Sequence, residues 1–159
     1  MPPQNGRFHV IRASAGSGKT YRLVRTYLAA CLKTADAHAF RTILAITFTN
    51  KAALEMRMRI LEEIERVAEG RGTMGAELAV ECGIAHEEVQ QRAGAVRVAM
   101  LHRYEDMAVM TIDSFINRLV RSFTRELSLD QEFVIELDEQ RLISEAVGRL
   151  LDRAGLPGQ

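Results

Sequence analysis

The chain has 159 residues, of which 47% are hydrophobic and 26% are charged, a composition typical of one globular domain with a buried core. Its 21 basic and 21 acidic residues balance, which excludes the overall positive charge of many autonomous DNA-binding domains and restricts any nucleic-acid contact to a local patch. Two distant cysteines, Cys31 and Cys82, and the lack of an apolar run long enough to cross a membrane predict a cytoplasmic protein with reduced thiols and no membrane partner.

A glycine-rich segment near the amino terminus is the most informative motif. It follows a flexible lead-in at residues 1–7 and a predicted strand at residues 8–13, and it precedes a predicted helix from Lys19 to about Lys33. Its members are Ala13, Ser14, Ala15, Gly16, Ser17, Gly18, Lys19 and Thr20. They match the Walker A pattern Gly-x-x-x-x-Gly-Lys-Ser/Thr, except that Ala13 replaces the first glycine. The strand–loop–helix setting favours a phosphate-binding loop over a simple glycine-rich turn.

This loop has the residue types that polyphosphate binding requires. Gly16 and Gly18 allow the backbone to turn tightly, so that successive amides point into one concavity at a helix N-terminus. Unpaired amides and the helix dipole favour an anion there. We expect Lys19 to reach the β- and γ-phosphates of a nucleotide, and the Thr20 hydroxyl to join the coordination shell of Mg²⁺.

Strands and helices alternate along the rest of the chain. Apolar runs predict strands at residues 42–47 and Met107–Ile112, and continuous apolar strands are typical of a parallel sheet buried on both faces. Helices are predicted at Lys51–Glu69, at about 76–104 with a break near Gly83, at Asp113–Leu127 and at Glu139–Arg153. This order predicts an α/β fold in which helices flank a parallel sheet.

Helical periodicity also predicts which positions are buried. These are Leu23, Tyr27, Ala30 and Cys31 or Leu32 in the first helix; Ala53, Met56, Ile60, Ile64 and Val67 in the second; Ile116, Leu119, Val120, Phe123 and Leu127 in the helix after Ile112; and Leu142, Ile143, Ala146, Val147, Leu150 and Leu151 in the last. The polar, glutamate-rich segment at about residues 70–105 is expected to be a helical excursion outside the core of the sheet.

The segment after the strand at residues 42–47 carries side chains suited to single-stranded nucleic acid. Its members are Thr47, Phe48, Thr49, Asn50 and Lys51. They lie at the carboxyl end of a strand, where ligands bind open α/β sheets. The polar side chains offer donors and a positive charge, while Phe48 offers a face for base stacking. The competing interpretation, given about equal weight, is a strand end with a helix cap and Phe48 in the core.

A second strand exit has a similar character. Thr111, Ser114 and Phe115 lie at or just after the end of the strand at Met107–Ile112, and the following helix displays three arginines on one face. Such a row can track phosphates, but a solvated or ion-paired face is more common. Acidic residues nearby favour ion pairing for at least Arg125.

The three segments together resemble the amino-terminal motor domain of superfamily 1 DNA helicases of the UvrD/Rep type. Residues 13–20 are similar to motif I, residues 47–56 to motif Ia at almost every position, and residues 111–115 to motif Ib, with Asp113 where many relatives have histidine. The Ala-Ser-Ala-Gly and Thr-Ile-Asp-Ser-Phe forms lean toward the RecB/AddA-like, exonuclease V beta branch. The resemblance spans about residues 8–138.

This resemblance implies a P-loop NTPase (RecA-like) fold and an ATP-driven 3′→5′ translocase and helicase of DNA repair or recombination. It implies ATP and Mg²⁺ as cofactors, with Lys19 and Thr20 as catalytic residues and Thr20 as a ligand of Mg²⁺. It also implies two kinds of partner, which are single-stranded DNA and a nuclease or helicase subunit. The residues expected at the DNA are Thr47, Phe48, Thr49, Asn50, Lys51, Thr111, Ser114 and Phe115.

We expect residues 8–137 to form a partial RecA-like motor domain and residues 138–159 to begin a helical insertion of the 1B type. The chain contains no Asp-Glu-x-x-Asp segment to hold Mg²⁺ and activate water, so it is expected to be an amino-terminal fragment, without its carboxyl-terminal remainder, that hydrolyses almost no ATP. Two other hypotheses stay open. One is a small P-loop kinase with Arg57, Arg59 and Arg66 in a lid, and the other is a nucleotide-binding interaction module.

Overall fold

The computed structural model describes residues 18–123, 139–153 and 155. The elements in chain order are α1 (Lys19–Leu32), a 3₁₀ helix (Ala39–Thr42), β1 (Ala45–Thr47), α2 (Asn50–Ala68), α3 (Met74–Cys82), α4 (His86–His102), a second 3₁₀ helix (Tyr104–Asp106), β2 (Val109–Thr111), α5 (Ile112–Ser122) and α6 (Glu139–Arg153). The chain divides into two compact units, Met1–Ile112 and Asp113–Gln159. The strand expected at residues 8–13 lies outside the described residues.

The two described strands form a parallel pair. Ala45 lies opposite Val109 and Thr47 lies opposite Thr111, so both strands end at the same edge of the sheet. A parallel pair needs a long crossover connection. Here α2, α3 and α4 make that connection, which confirms an α/β arrangement with a small parallel sheet.

The core of the first unit lies between α2 and α4, with α1 and α3 closing it. The predicted apolar stripe of α2 is confirmed, because Ala53, Ile60, Ile64 and Val67 are buried and Met56 packs against them. The break near Gly83 is also confirmed. Gly83 ends α3 with a φ of 68°, a left-handed conformation that favours glycine.

The expectation that residues 70–105 stand outside the core is wrong. Seven side chains of α3 and α4 belong to the same buried cluster as α1 and α2: Met74, Leu78, Val89, Ala93, Val96, Ala99 and Met100. The glutamates of this segment suggest an exposed excursion, but it also contains many apolar residues, which recur at helical spacing. That spacing is enough to bury one face of each helix.

The strand expected at residues 42–47 is shorter than predicted. Thr42 ends a 3₁₀ helix, and the ladder begins only at Ala45. The side chain of Phe40, which is completely buried, sits within that 3₁₀ helix. Its burial fixes a helical turn where residue propensity alone favours a strand, because tertiary packing outweighs a weak local preference.

Two of the positions expected to be buried in α1 are exposed. Leu23 and Ala30 line an apolar groove of about 360 Å³ beside β1, together with Leu44 and Ile46. Tyr27, Cys31 and Leu32 are buried as predicted, and Val24, Leu28 and Ala29 complete the buried face of α1. The prediction for this helix is therefore right at three positions and wrong at Leu23 and Ala30.

In the second unit, α5 ends at Ser122 and α6 has its predicted bounds, while Leu127 and the side chain of Leu142 lie outside the described residues. Several described positions expected to be buried are exposed: Ile116 and Leu119 of α5, Phe123 directly after it, and Ile143, Val147 and Leu150 of α6. Periodicity shows that a helix has an apolar face, whereas burial also needs a partner that covers it. None of the helices in the described ranges is both long and apolar enough to cross a lipid bilayer.

Candidate functional site

The carboxyl half of the glycine-rich motif leads into α1. Gly18 has a φ of 73° and a ψ of 21°, a left-handed conformation in which a residue with a Cβ is strained. Lys19 and Thr20 are the first two residues of α1. The preceding members of the motif, Ala13, Ser14, Ala15, Gly16 and Ser17, lie outside the described residues. The described part therefore has the helix start that a phosphate-binding loop requires.

The N-terminus of α1 suits a negatively charged ligand. Among the described residues, no side chain caps this end of the helix and no acidic residue lies in its first turn. The first backbone amides of a helix have no partner within the helix, and its dipole places a partial positive charge there. A phosphate group bound at this end would accept hydrogen bonds from these amides and would be attracted by the partial positive charge. The residues present therefore fit a nucleotide.

A polar network holds the first turns of α1 against α3. The Tyr21 hydroxyl donates to Glu77 Oε1 at 2.8 Å, and the Arg25 guanidinium donates to Glu77 Oε2 at 2.8 Å. Arg25 also contacts Glu81 at 3.3 Å. The bond from Arg25, followed by that from Tyr21, lowers the pKa of Glu77. Sequence reasoning missed this network, because its partners lie 52 and 56 residues apart and no motif links them.

A groove of about 430 Å³ lies between α1 and α2 beside Thr20. Its lining includes Glu55 and Arg59 of α2, so charges of both signs face it. The groove borders the start of α1. It provides open space next to the Thr20 side chain, where a ligand held by the helix N-terminus would extend.

The exit of β1 is a tight turn stabilised by two threonines. The Thr47 hydroxyl donates to the Thr49 carbonyl at 3.1 Å, and the Thr49 Oγ1 accepts from the Ala52 amide at 3.1 Å as the N-cap of α2. Phe48 stands between them, and 94% of its surface is exposed. The interpretation in which Phe48 belongs to the core is wrong. The helix cap and the exposed aromatic ring exist together.

The remaining residues of this segment also face solvent. Asn50 and Lys51 form the first turn of α2 and are exposed, while Thr47 is half-buried. An exposed ring beside hydroxyl, amide and ammonium groups combines a stacking surface with donors for a phosphate backbone.

The exit of β2 lies beside that of β1. Thr111 pairs with Thr47 in the sheet and is buried, which leaves little of its side chain for a ligand. Ser114 is exposed and Phe115 is half-buried, and both lie in the first turn of α5 at the start of the second unit. Within the first unit, the structure therefore brings the ends of both strands together.

Arg57 belongs to this region, although sequence reasoning named it only in the lid of the kinase alternative. It projects from α2 and donates from Nε to the Val109 carbonyl at 3.0 Å, and from Nη2 to the Met107 carbonyl at 3.2 Å. Its guanidinium also lies 5.3 Å from the centre of the Tyr104 ring. The partners are about 50 residues away in the chain, so the local pattern contains no signal for them.

Comparisons with known proteins agree with these motifs. The chain is 31% identical over 144 residues to the A subunit of the ATP-dependent helicase/nuclease of Bacillus cereus strain AH820, and equally to that of Bacillus thuringiensis strain Al Hakam. It is 29% identical over 144 residues to the protein of the same name from Bacillus cytotoxicus. Each match covers 90% of this chain and 10% of the relative, so the chain spans about a tenth of the length of these relatives.

No solved structure matches the chain significantly. The sequence profile of the UvrD/REP helicase N-terminal domain matches residues 3–155, which is nearly the whole chain. The match includes both strand exits and the glycine-rich motif. By this match and by the identity to the Bacillus proteins, the chain belongs to the UvrD/REP helicase N-terminal domain family.

Proposed function

We propose that the chain is the ATP-binding portion of an ATP-dependent DNA helicase or translocase that moves 3′→5′ on single-stranded DNA in repair or recombination. The family and the names of the relatives support this reaction class. We extend the proposal to a partner protein, because each of those relatives is named as one subunit of a larger enzyme, and to a cytoplasmic location. Within the chain, residues 8–137 are proposed as part of a motor domain and residues 138–159 as the start of a helical insertion.

The exposed ring of Phe48 at the exit of β1 is the observation that supports DNA binding most strongly. An aromatic side chain of this size is normally at least partly buried, because covering it from water stabilises the fold. Two hydrogen bonds stabilise the backbone of the turn that carries it, on which the ring is 94% exposed. Stacking of a base on such a ring contributes about 1–3 kcal/mol.

The nucleotide site is proposed at the N-terminus of α1. Lys19 would contact the terminal phosphates, Thr20 would ligate Mg²⁺, and the amides from residues 13–20 would surround the phosphate chain. Bound Mg²⁺ neutralises phosphate charge during hydrolysis. The chain's own contribution is to hold the phosphates at a helix start that carries no carboxylate in its first turn.

The test of DNA binding is a titration of the chain with a fluorescently labelled oligothymidylate at two salt concentrations. We expect binding that weakens as salt rises, because phosphate contacts release counterions. Phe48→Ala should weaken binding by about 5- to 150-fold, which corresponds to the loss of one stacked base. The readout is the dissociation constant from fluorescence anisotropy.

Val80→Ala is the matched control for this experiment. Val80 lies on α3 and is 85% exposed, so its substitution also removes an exposed apolar side chain. It should leave the affinity unchanged. Binding that Phe48→Ala does not alter, or that ignores salt, would contradict the proposed DNA interface.

We also propose that these 159 residues alone hydrolyse almost no ATP. Phosphoryl transfer needs metal-holding and water-positioning acids as well as a phosphate cradle, and the chain has no Asp-Glu-x-x-Asp segment. A steady-state assay with single-stranded DNA tests this. DNA-stimulated turnover that disappears in Lys19→Ala would refute the claim.

A small P-loop kinase is the weaker alternative. That hypothesis uses the arginines of α2 as a mobile lid, but Arg57 is bonded to two backbone carbonyls and Arg66 pairs with Glu63 at 2.8 Å. A nucleotide-binding interaction module stays the second alternative. It would be favoured if the chain bound nucleotide and showed no affinity for oligothymidylate.

A further inference from the structure

Arg57 closes the outer edge of β2 with a fork of hydrogen bonds. The Ala45 amide donates to the Ala108 carbonyl at 2.9 Å, so that carbonyl faces β1. Carbonyls alternate in direction along a strand, so that of Val109 faces the opposite side, and the carbonyl of Met107, just before the strand, accepts from the Val109 amide at 2.8 Å. These are the two that accept from Arg57. Within the described residues, the guanidinium therefore occupies the edge of β2 opposite β1.

The bonds of Arg57 complete a closed loop of contacts around the turn that carries Phe48. β1 pairs with the inner edge of β2, the turn follows β1, and α2 follows the turn. Two helical turns later Arg57 returns to the outer edge of β2. The elements on both sides of the turn therefore contact β2. β1, before the turn, pairs with it in the sheet, and Arg57 of α2, after the turn, donates hydrogen bonds to it.

We propose that Arg57 is a positioning residue for single-stranded DNA, which rests on the function proposed above. It does not face the ligand. It holds α2 and β2 in register, so that the ring of Phe48 and the end of β2 at Thr111 keep a fixed spacing. Without the hydrogen bonds of Arg57, α2 would be free to shift along the sheet and to displace Phe48.

The planar guanidinium of Arg57 is suited to bonding two carbonyls at once. Arginine presents several N–H donors in a rigid plane, and here Nε and Nη2 reach two carbonyls at once while the plane lies near the ring of Tyr104. A lysine ammonium keeps the charge, but it has no fixed fork and can serve the two carbonyls less well. Arg57→Lys should therefore rescue only part of the effect of Arg57→Met.

The first experiment measures hydrogen exchange of backbone amides in the 159-residue chain without DNA. In Arg57→Met, we expect amides of residues 45–49 and 109–111 to exchange about 10-fold faster, because charge-assisted bonds to the strand are lost. Arg66→Met is the matched control, since Arg66 lies in the last turn of the same helix and pairs with Glu63, three residues away on that helix. It should leave these amides unchanged.

The second experiment is a double-mutant cycle on oligothymidylate affinity. It is performed at a temperature at which circular dichroism shows that every variant is folded. Arg57→Met alone should weaken binding by about 10-fold, and Arg57→Lys by less. In the Phe48→Ala background, Arg57→Met should change affinity by less than about 2-fold, because it acts through the position of that ring. A purely structural role would predict additive effects or none.

The outcomes separate this inference from the proposed function. If the wild-type chain does not bind oligothymidylate, the proposed function fails, and the DNA role of Arg57 fails with it. If Phe48→Ala weakens binding but Arg57→Met does not, only the role of Arg57 is overturned. Exchange that rises uniformly along the chain, or not at all, also overturns it.

Discussion

The helices α1 and α2 begin in opposite ways. α2 starts after a threonine whose side chain accepts from the amide of Ala52, so the chain itself caps this helix. α1 starts after Gly18, with no side-chain cap and no carboxylate in its first turn among the described residues. A side chain satisfies one first-turn amide at the start of α2, whereas the residue before α1 offers no side chain for this purpose, which suits the binding of an anion there.

This difference separates two kinds of recognition within one fold. A capped helix start needs no anion, and the turn before α2 can display an aromatic ring instead. An uncapped start with a left-handed glycine can take phosphate. This contrast supports the proposal that nucleotide binds at the start of α1 and that the bases of single-stranded DNA bind at the turn before α2.

Among the variants that test this contrast, Lys19→Ala is expected to have the largest effect, and it acts on nucleotide affinity. Loss of a cation at the phosphates should weaken the affinity for a Mg²⁺–ATP analogue by about 100-fold, since charge-assisted bonds are the strongest class of hydrogen bond. Titration calorimetry gives the dissociation constant. Lys33→Ala, at the other end of α1, is the control and should bind as the wild type does. Equal affinities for all three proteins would remove the basis for a nucleotide site.

Gly18→Ala should weaken nucleotide binding and lower stability by about 1 kcal/mol. The left-handed φ of 73° strains any residue with a Cβ, although among the described residues no atom beyond the chain neighbours lies within 4 Å of that position. Gly94→Ala provides the contrast, because Gly94 lies inside α4 with equally open space. There alanine should stabilise by about 0.5–1 kcal/mol. The two variants should shift the melting temperature in opposite directions, and shifts of the same sign would contradict this interpretation of Gly18.

Thr49→Ala removes the cap of α2. It should cost about 1 kcal/mol of unfolding free energy, and Thr49→Ser should retain most of the stability because serine also caps well. Chemical denaturation measures both. Nucleotide affinity should be unaffected, since the cap belongs to the other helix. A Thr49→Ala protein as stable as the wild type would show that the bond to Ala52 contributes nothing.

The smallest effect concerns pH. The pKa of Glu77 is lowered in the folded chain by its bonds from Arg25 and Tyr21, so the carboxylate stabilises the fold above its ordinary pKa of about 4.5. That stabilisation is lost as pH falls through the lower folded value. In Glu77→Gln, the melting temperature should therefore fall less steeply between about pH 5 and pH 3. If the melting temperatures of the wild type and of Glu77→Gln fell equally steeply with pH, a contribution of the Glu77 carboxylate to stability would be excluded.

Sequence reasoning succeeded where the signal is local. The α2 helix and its buried stripe follow directly from 3.6-residue periodicity, and the parallel strand exits follow from the alternation of strands and helices. The exposure of Phe48 could not be predicted, because a ring at a strand end packs or projects according to what surrounds it. The contacts of Arg57 were out of reach for the same reason, since its partners are distant in the chain.

The apolar faces of α5 and α6 show the other limit. Their periodicity matches that of α2, yet Ile143 and Leu150 stay exposed while Ile60 and Ile64 are buried. Hydrophobic burial stabilises a helix only when another surface covers it. The pattern of one helix specifies its apolar face and carries no information on the partner that covers it.

Hydrogen-exchange footprinting with each ligand in turn tests the division between the two helix starts most directly. A Mg²⁺–ATP analogue should slow exchange at residues 18–21 and leave residues 48–52 unchanged. Oligothymidylate should slow exchange at residues 48–52 and leave residues 18–21 unchanged. If both ligands protected the same segment, the proposed separation of the nucleotide and DNA sites would be contradicted. It would also be contradicted if neither ligand protected its proposed segment.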